Sequence, residues 1–341
     1  MPLLPAHEVR HLREEYRRLQ HELQSLCAKW NTALPDPRTR LMACEAAKQR
    51  IITSHVEKVN ADLKEQLLVQ QLFYASLQRT LLEAPLSTMA VTSQAMFERM
   101  HGYLNLGTDV QTRIEQLEDR FEVSFRLARS TVDSFTNDLT ATASAMVPFS
   151  RTCAMGVDND TLVSNIFICK LPNSSLQSVL EAAYDVHTAM HSEMQKRMGV
   201  EFDLKIIHDM GPTCFYSQVQ RFDGAYDGSR TNRAVAAKMV SDDFAVITTD
   251  FTDNDELYPT RNASDNFMVD ACSITTLTRH VDPVDGQPYV LLRRIQVHRY
   301  NLLSNSPVLF NELNTMLPYI NGDLPMALLC EALQSRATSS A

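Results

Sequence analysis

The apolar spacing near the start of the chain constrains it more than any other feature. Val9, Leu12, Tyr16, Leu19, Leu23, Leu26 and Trp30 follow one another in steps of three and four over three heptads. That is the a/d seam of a helix built to lie along another helix. Arg13, Glu14, Glu15, Arg17, Arg18, Gln20 and Glu22 fill the positions between and suit a solvated surface. Pro35 and Pro37 end the pattern, because proline cannot continue a helix. A second helix is expected from Arg38 to Glu83, with the stripe Ile52, Val56, Val59, Leu63, Leu67, Tyr74, Leu77 and Leu81. Its four-after-four step at Val59, Leu63 and Leu67 reads as a stutter. Two arrangements satisfy these stripes. The helices fold back on each other as a hairpin across the short proline turn, or the seam zips to another chain.

Residues 1–85 are therefore expected to form a helical, coiled-coil-prone arm. They carry 12 of the 32 Lys and Arg but 10 of the 41 Asp and Glu, a balance of +2, so the remainder carries −11 and the whole chain −9. An acidic body repels phosphate backbones. A basic zipper needs a basic helix of roughly twenty residues upstream of its seam, and the eight residues before Val9 contain no Lys or Arg. Direct nucleic-acid binding is not expected, although the arm suits a zipper partner. The opening MPLLPAHEVRHLREEYRR turns charged at once, and no apolar run reaches membrane-spanning length, so a cytoplasmic or nuclear address is expected. Seven scattered cysteines without a C-x-x-C pair argue against a disulfide framework or a zinc knuckle.

Residues 86–107 read as a connector punctuated by Gly102 and Gly107. Thr108 or Asp109 is a good N-cap for a long amphipathic helix over residues 108–140, with Ile114, Leu117, Phe121, Phe125, Ala128, Val132, Phe135 and Leu139 on one face. The run from Thr140 to Ser150 looks like a small-residue linker. In residues 151–341 the period changes. Leu162–Leu171 reads as a strand, residues 175–198 as a helix, and six further strand-like runs follow between turn signals such as Ser241-Asp242 and Asp285-Gly286. Two helical stretches, Val308–Leu317 and Leu324–Ser335, close the chain, interrupted by Pro318, Gly322 and Pro325. The class is α+β, an antiparallel sheet with helices on one face.

The run AVITTDFTDNDELYPTR (Ala245–Arg261), the strand at Val269–Thr278 and YVLLRRIQVHRY (Tyr289–Tyr300) together resemble the START-like proteins expanded in oomycetes, some of them labelled mating-specific. The helix Ser175–Met194, the entry Tyr103–Phe121 and the coiled-coil arm are similar to the same family, and DFxDxDELYP is the specific part. The chain departs from the family in lacking a basic segment before the arm and in its broken last helix. The resemblance implies a helix-grip fold, with a curved antiparallel sheet around a C-terminal helix and a ligand-sized cavity between them. It implies no particular ligand.

Several residue groups are candidates for chemistry. His187 and His191 stand four apart on a helix, without a third metal ligand or the H-E-x-x-H glutamate, and read as surface or half-buried. Asp250, Asp253, Asp255 and Glu256 lack the glycine a calcium loop needs and read as a solvated turn. No nucleophile elbow, P-loop or Rossmann glycine pattern is present, so neither catalysis nor a cofactor is expected. Arg293 interrupts the alternating face Tyr289, Leu291, Ile295 and Val297; if that face lines the cavity, the cation needs a partner.

The expected function is a non-enzymatic module for an apolar or amphipathic, lipid-like ligand, carried on an oligomerisation arm. Arg293, Tyr289, Leu291, Ile295, Met316 and Met326 are its candidate ligand contacts. The alternatives are an interaction protein with a filled pocket and, more remotely, a helix-grip enzyme. A cavity of roughly 300 Å³ or more separates the first two.

Overall fold

The structure is a computed structural model that describes residues 6–33, 36–82, 92–142, 148–157, 159–222, 229–260, 269–282 and 286–339. The side chains of Val9, Tyr74, Leu77 and Leu81 of the seams, residues 34–35 of the proline turn and residues 143–147 of the Thr140–Ser150 stretch lie outside what it describes. No described helix is long and apolar enough to cross a membrane. All seven cysteines are free thiols.

The chain divides into two units, residues 1–66 and 67–341. The first contains α1 (Ala6–Ala33) and most of α2 (Pro37–Leu82). Its stripes are not buried against each other. Leu12, Tyr16, Leu19, Leu23, Leu26 and Trp30 are 40–67% exposed, and Ile52, Val56, Val59 and Leu63 are 42–56% exposed. The hairpin that would have hidden them is therefore not formed. The end of α2 belongs to the second unit, where Leu68 and Leu72 join the core.

After the end of α2, the second unit has a helix, α3 (Thr92–Met100), and a short strand, β1 (Asn105–Leu106), where the sequence reads as a connector. Its main strands are β2 (Phe149–Val157), β3 (Asp160–Pro172), β4 (Phe202–Asp209), β5 (Cys214–Arg221), β6 (Arg230–Ser241), β7 (Phe244–Phe251), β9 (Val269–Val281) and β10 (Pro288–Tyr300). They form one eight-stranded, fully antiparallel sheet in the order β2-β3-β10-β9-β7-β6-β5-β4. A two-residue strand, β8 (Asn254–Asp255), pairs in parallel with β1. The edge strand β2 begins in the last two residues of the expected linker and is not legible as a strand in the sequence, because its small and polar residues carry no alternating pattern.

Helices cover both faces of the sheet, not one as the sequence suggests. On one face lie α3 and α4 (Val110–Thr136), with α4 burying Leu117, Phe121, Ala128 and Val132. Asp109 caps α4 by accepting the Thr112 N–H at 2.8 Å. The other face is covered by α5 (Leu176–Met198), α6 (Pro307–Ile320) and α7 (Asp323–Ser339). α5 leads from β3, near one edge, to β4 at the other. A helix of 23 residues is about 34 Å long, and six strand spacings are about 29 Å, so one helix makes the crossing. Ser175 caps its start, and Gly199, at φ 71°, ends it in the left-handed region.

An antiparallel sheet with C-terminal helices across one face is the arrangement the resemblance implies, with a two-helix cover in place of one helix. Pro318 sits inside the last turn of α6. The break comes later, at Gly322, where φ is 89° and an added Cβ would lie 2.6 Å from Phe167 Cδ2. Only glycine combines that dihedral with so close an approach.

Candidate functional site

With both faces buried, alternation places consecutive β10 residues in different environments. Tyr289, Leu291, Arg293, Ile295 and Val297 point toward α4, and Leu291, Ile295 and Val297 join the core on that side. Arg293 Nη1 meets Asp133 Oδ1 at 2.6 Å and Thr136 Oγ1 at 3.2 Å. It is buried and paired, as an inward cation must be, but its partner is the end of α4. Arg293, Tyr289, Leu291 and Ile295 therefore do not line the cavity. Met316 and Met326 do.

The opposite register, Leu292, Arg294, Gln296, His298 and Tyr300, faces α5, α6 and α7. Here a row of polar residues crosses five strands at one level. Thr152 pairs with Asn165, Asn165 with Gln296, Gln296 with Ser273, and Ser273 with Thr249. Arg294 lies beside this row on β10 and Arg233 beside it on β6. Thr249, Ser273 and Gln296 of the row, with Arg233 and Arg294, adjoin cavities between the sheet and its helical cover, three of which measure about 100, 50 and 30 Å³. The largest is walled by Met190, Met194, Phe202, Phe251, Tyr300 and Met316. The smallest lies between Arg233 and Arg294 and shares walls with both others.

The polar groups of this interior are incompletely satisfied. Arg294 Nη2 donates to Asn165 Oδ1 at 3.3 Å and to the Ile320 carbonyl at 3.1 Å, and Gln296 Nε2 donates to Tyr319 Oη at 3.2 Å. Nε of Arg233, Nε of Arg294, Oγ1 of Thr249, Oε1 of Gln296, Nδ1 of His191 and Nε2 of His298 have no hydrogen-bond partner. An unmatched buried polar atom costs about 1–3 kcal/mol, so such a concentration calls for an explanation.

Of the two helix histidines, which the sequence reads as surface or half-buried, His187 is half-buried and His191 buried, and both border this interior. Burial, with Arg233 and Arg294 nearby, lowers the pKa of His187 and of His298 to about 3. Burial, with Arg233 and His187, does the same to His191. Arg294 is pushed below its ordinary value by burial. At the largest cavity Arg221 and Glu312 form a buried ion pair at 2.6 Å.

The DFTDNDELYP segment is not the solvated turn its composition suggests. Asp250 accepts from Arg120 Nε at 2.8 Å and lies 2.9 Å from His101 Nδ1. Asp253 accepts the Leu104 N–H at 2.9 Å and lies 3.3 Å from His101 Nε2. Asp255 receives both terminal nitrogens of Arg113 at 2.8 Å, the Tyr216 hydroxyl at 2.6 Å and the N–H groups of Leu257 and Tyr258. These carboxylates neutralise cations of α4 and the connector, tying that helix to the sheet. Glu256, the fourth acid, is exposed.

The chain is similar to a number of solved structures, two of which share very little sequence identity with it. Human StAR-related lipid transfer protein 5 aligns at 10% identity over 67% of this chain and 99% of its own, with a TM-score of 0.36. A truncated norcoclaurine synthase from Thalictrum flavum aligns at 13% identity over 52% of this chain and 94% of its own, with a TM-score of 0.27. No family model matches the chain, and no curated protein matches it.

Among the described residues, none of these three cavities reaches the lipid-sized volume expected from the sequence. The largest opening, about 100 Å³, is well below the roughly 300 Å³ of an ordinary small-molecule pocket. What sequence reasoning missed is the polar row. Its signal is the doublet Arg293-Arg294, in which one arginine must face each side of a strand.

Proposed function

We propose that residues 67–341 form a binding domain for a compact amphipathic molecule, held between the sheet and its cover of α5, α6 and α7. The observation that carries this reading is the set of buried, unmatched polar atoms around the cavities. A cavity that served packing alone would be lined by apolar atoms and stay dry. Four methionines, Met190, Met194, Met316 and Met326, supply walls that adapt to different shapes. We read the domain as a binder and not an enzyme. A general acid or base works best with a pKa near the working pH, whereas His187, His191 and His298 sit near 3.

Native mass spectrometry of the full chain, isolated from its own host without denaturation, tests the reading. A small-molecule adduct is expected. It should be lost in Ala271→Met, because Ala271 lines two of the cavities. A bare mass, with Ala271→Met more stable than the parent, would sink the proposal and leave a filled-pocket interaction protein.

The exposed seam of α1 supports a second role beside the first, oligomerisation through the arm. Leu12, Tyr16, Leu19 and Leu23 are each more than half exposed, an apolar stripe that a second helix would cover. Light scattering should show an oligomer that Leu19→Asp with Leu23→Asp reduces to a monomer. An unchanged mass would remove this role.

A further inference from the structure

We infer that the bound molecule carries a carboxylate, and that Arg233 and Arg294 receive it in the small chamber between them. This rests on the ligand-binding reading above and adds the chemical class of the ligand. The two arginines stand on different strands, β6 and β10, yet both line the cavity of about 30 Å³. No hydrogen bond or ion pair joins the Arg233 guanidinium to any described residue. The hydrogen bonds of Arg294 go to an amide oxygen and a backbone carbonyl, both neutral.

The carboxylates within reach are engaged elsewhere. Glu312, which borders the cavity of about 100 Å³ together with Arg233, pairs with Arg221, and Asp250 pairs with Arg120 on the opposite face. Asp323, exposed at the start of α7, attracts Arg294 through space. Two guanidinium groups, Arg294 buried and Arg233 half-buried, thus share an interior with no carboxylate among the described residues bonded to either. Burying cations in this way is costly unless an anion completes the site.

Size and shape favour a carboxylate. A water molecule needs about 10–15 Å³ of such space, so a chamber of about 30 Å³ takes two oxygen atoms and little more. Guanidinium and carboxylate match as planar forks. Thr249, Ser273 and Gln296 border the same chamber and add neutral polar contacts. The adjoining cavity of about 100 Å³ has methionine and aromatic side chains along part of its wall, beside the closed Arg221–Glu312 pair, and accommodates a short apolar body there.

Isothermal titration of the full chain with hexanoate, hexanamide and hexyl phosphate tests the assignment. Hexanoate is expected to bind about tenfold more tightly than hexanamide, the gain of a charge-assisted over a neutral hydrogen bond. Arg294→Gln and Arg233→Gln should each remove that preference while leaving hexanamide affinity within about twofold. The preference in the unaltered protein stands as a test even if a variant fails to fold. Equal binding of hexanoate and hexanamide overturns the carboxylate inference and leaves the ligand reading intact. Tighter binding of hexyl phosphate overturns it in favour of a phosphate monoester. Binding of none of the three overturns both.

Discussion

Arg113 and Asp255 meet through two parallel hydrogen bonds of 2.8 Å, both side chains wholly shielded from solvent, although 142 residues separate them. Arg113 begins the buried face of α4, and Asp255 lies in the two-residue β8. Tyr216 closes the pair from the sheet, its hydroxyl 2.6 Å from Asp255 Oδ2. This contact docks α4 on the sheet, and it accounts for the most specific stretch of the sequence without invoking a ligand.

Removing one partner should therefore harm stability more than removing both. Arg113→Met leaves a buried carboxylate and is expected to cost about 3–5 kcal/mol, whereas Arg113→Met with Asp255→Asn should recover part of that loss. Urea unfolding of these two variants and of Asp255→Asn alone measures the difference. A double variant as unstable as the sum of two single variants would show that no coupling exists.

His101 should make the fold sensitive to alkali. Burial disfavours its charged form, but Asp250 and Asp253 outweigh that and raise its pKa to about 9 from 6.5. The stabilisation is full below pH 6.5 and is lost as pH rises through about 9. Roughly 2–3 kcal/mol is at stake. Thermal midpoints should fall between pH 7 and 9.5 in the parent, and Gln in place of His101 should flatten the slope.

The interior histidines predict the opposite flank. His187, His191 and His298 titrate near 3 when folded and near 6.5 when unfolded, so the unfolded chain takes up protons first. Their contribution is complete above pH 6.5 and declines as pH falls toward 3, by up to about 1.4 kcal/mol per pH unit for each. Denaturant midpoints at pH 7, 6 and 5 should drop steadily. His298→Gln should lessen the drop, and an unchanged slope would show that His298 is not buried as a neutral ring.

Gly322→Ala should loosen the cover. The new Cβ would press on Phe167, and alanine would be held at a φ of 89°. A loss of about 1–3 kcal/mol is expected from the clash and the dihedral together. Adding Phe167→Leu should relieve the clash but not the dihedral strain, so only partial recovery of the melting temperature is anticipated.

Local periodicity makes much of this protein legible in its sequence. The seam from Leu12 to Trp30 predicts a long helix, and α1 spans it. Asp109 is readable as a cap because its side chain bonds a backbone N–H three residues away. The strand runs and the two C-terminal helices are legible for the same reason, since these signals act between neighbours in sequence.

What the tertiary structure alone decided is which side of each strand faces which helices. β7 is buried at every position, and β10 along nearly all its length, because α4 covers one face and α5, α6 and α7 the other. Alternation of apolar and polar residues marks a face only when the other meets water. Arg293 and Arg294 therefore look equivalent in sequence. One residue of register sends the first to Asp133 on α4 and the second into the interior beside Gln296 and Phe167. The acids of DFTDNDELYP are ambiguous in the same way: Arg113 and Arg120, which neutralise two of them, lie far back along the chain and reach them only when α4 packs on the sheet.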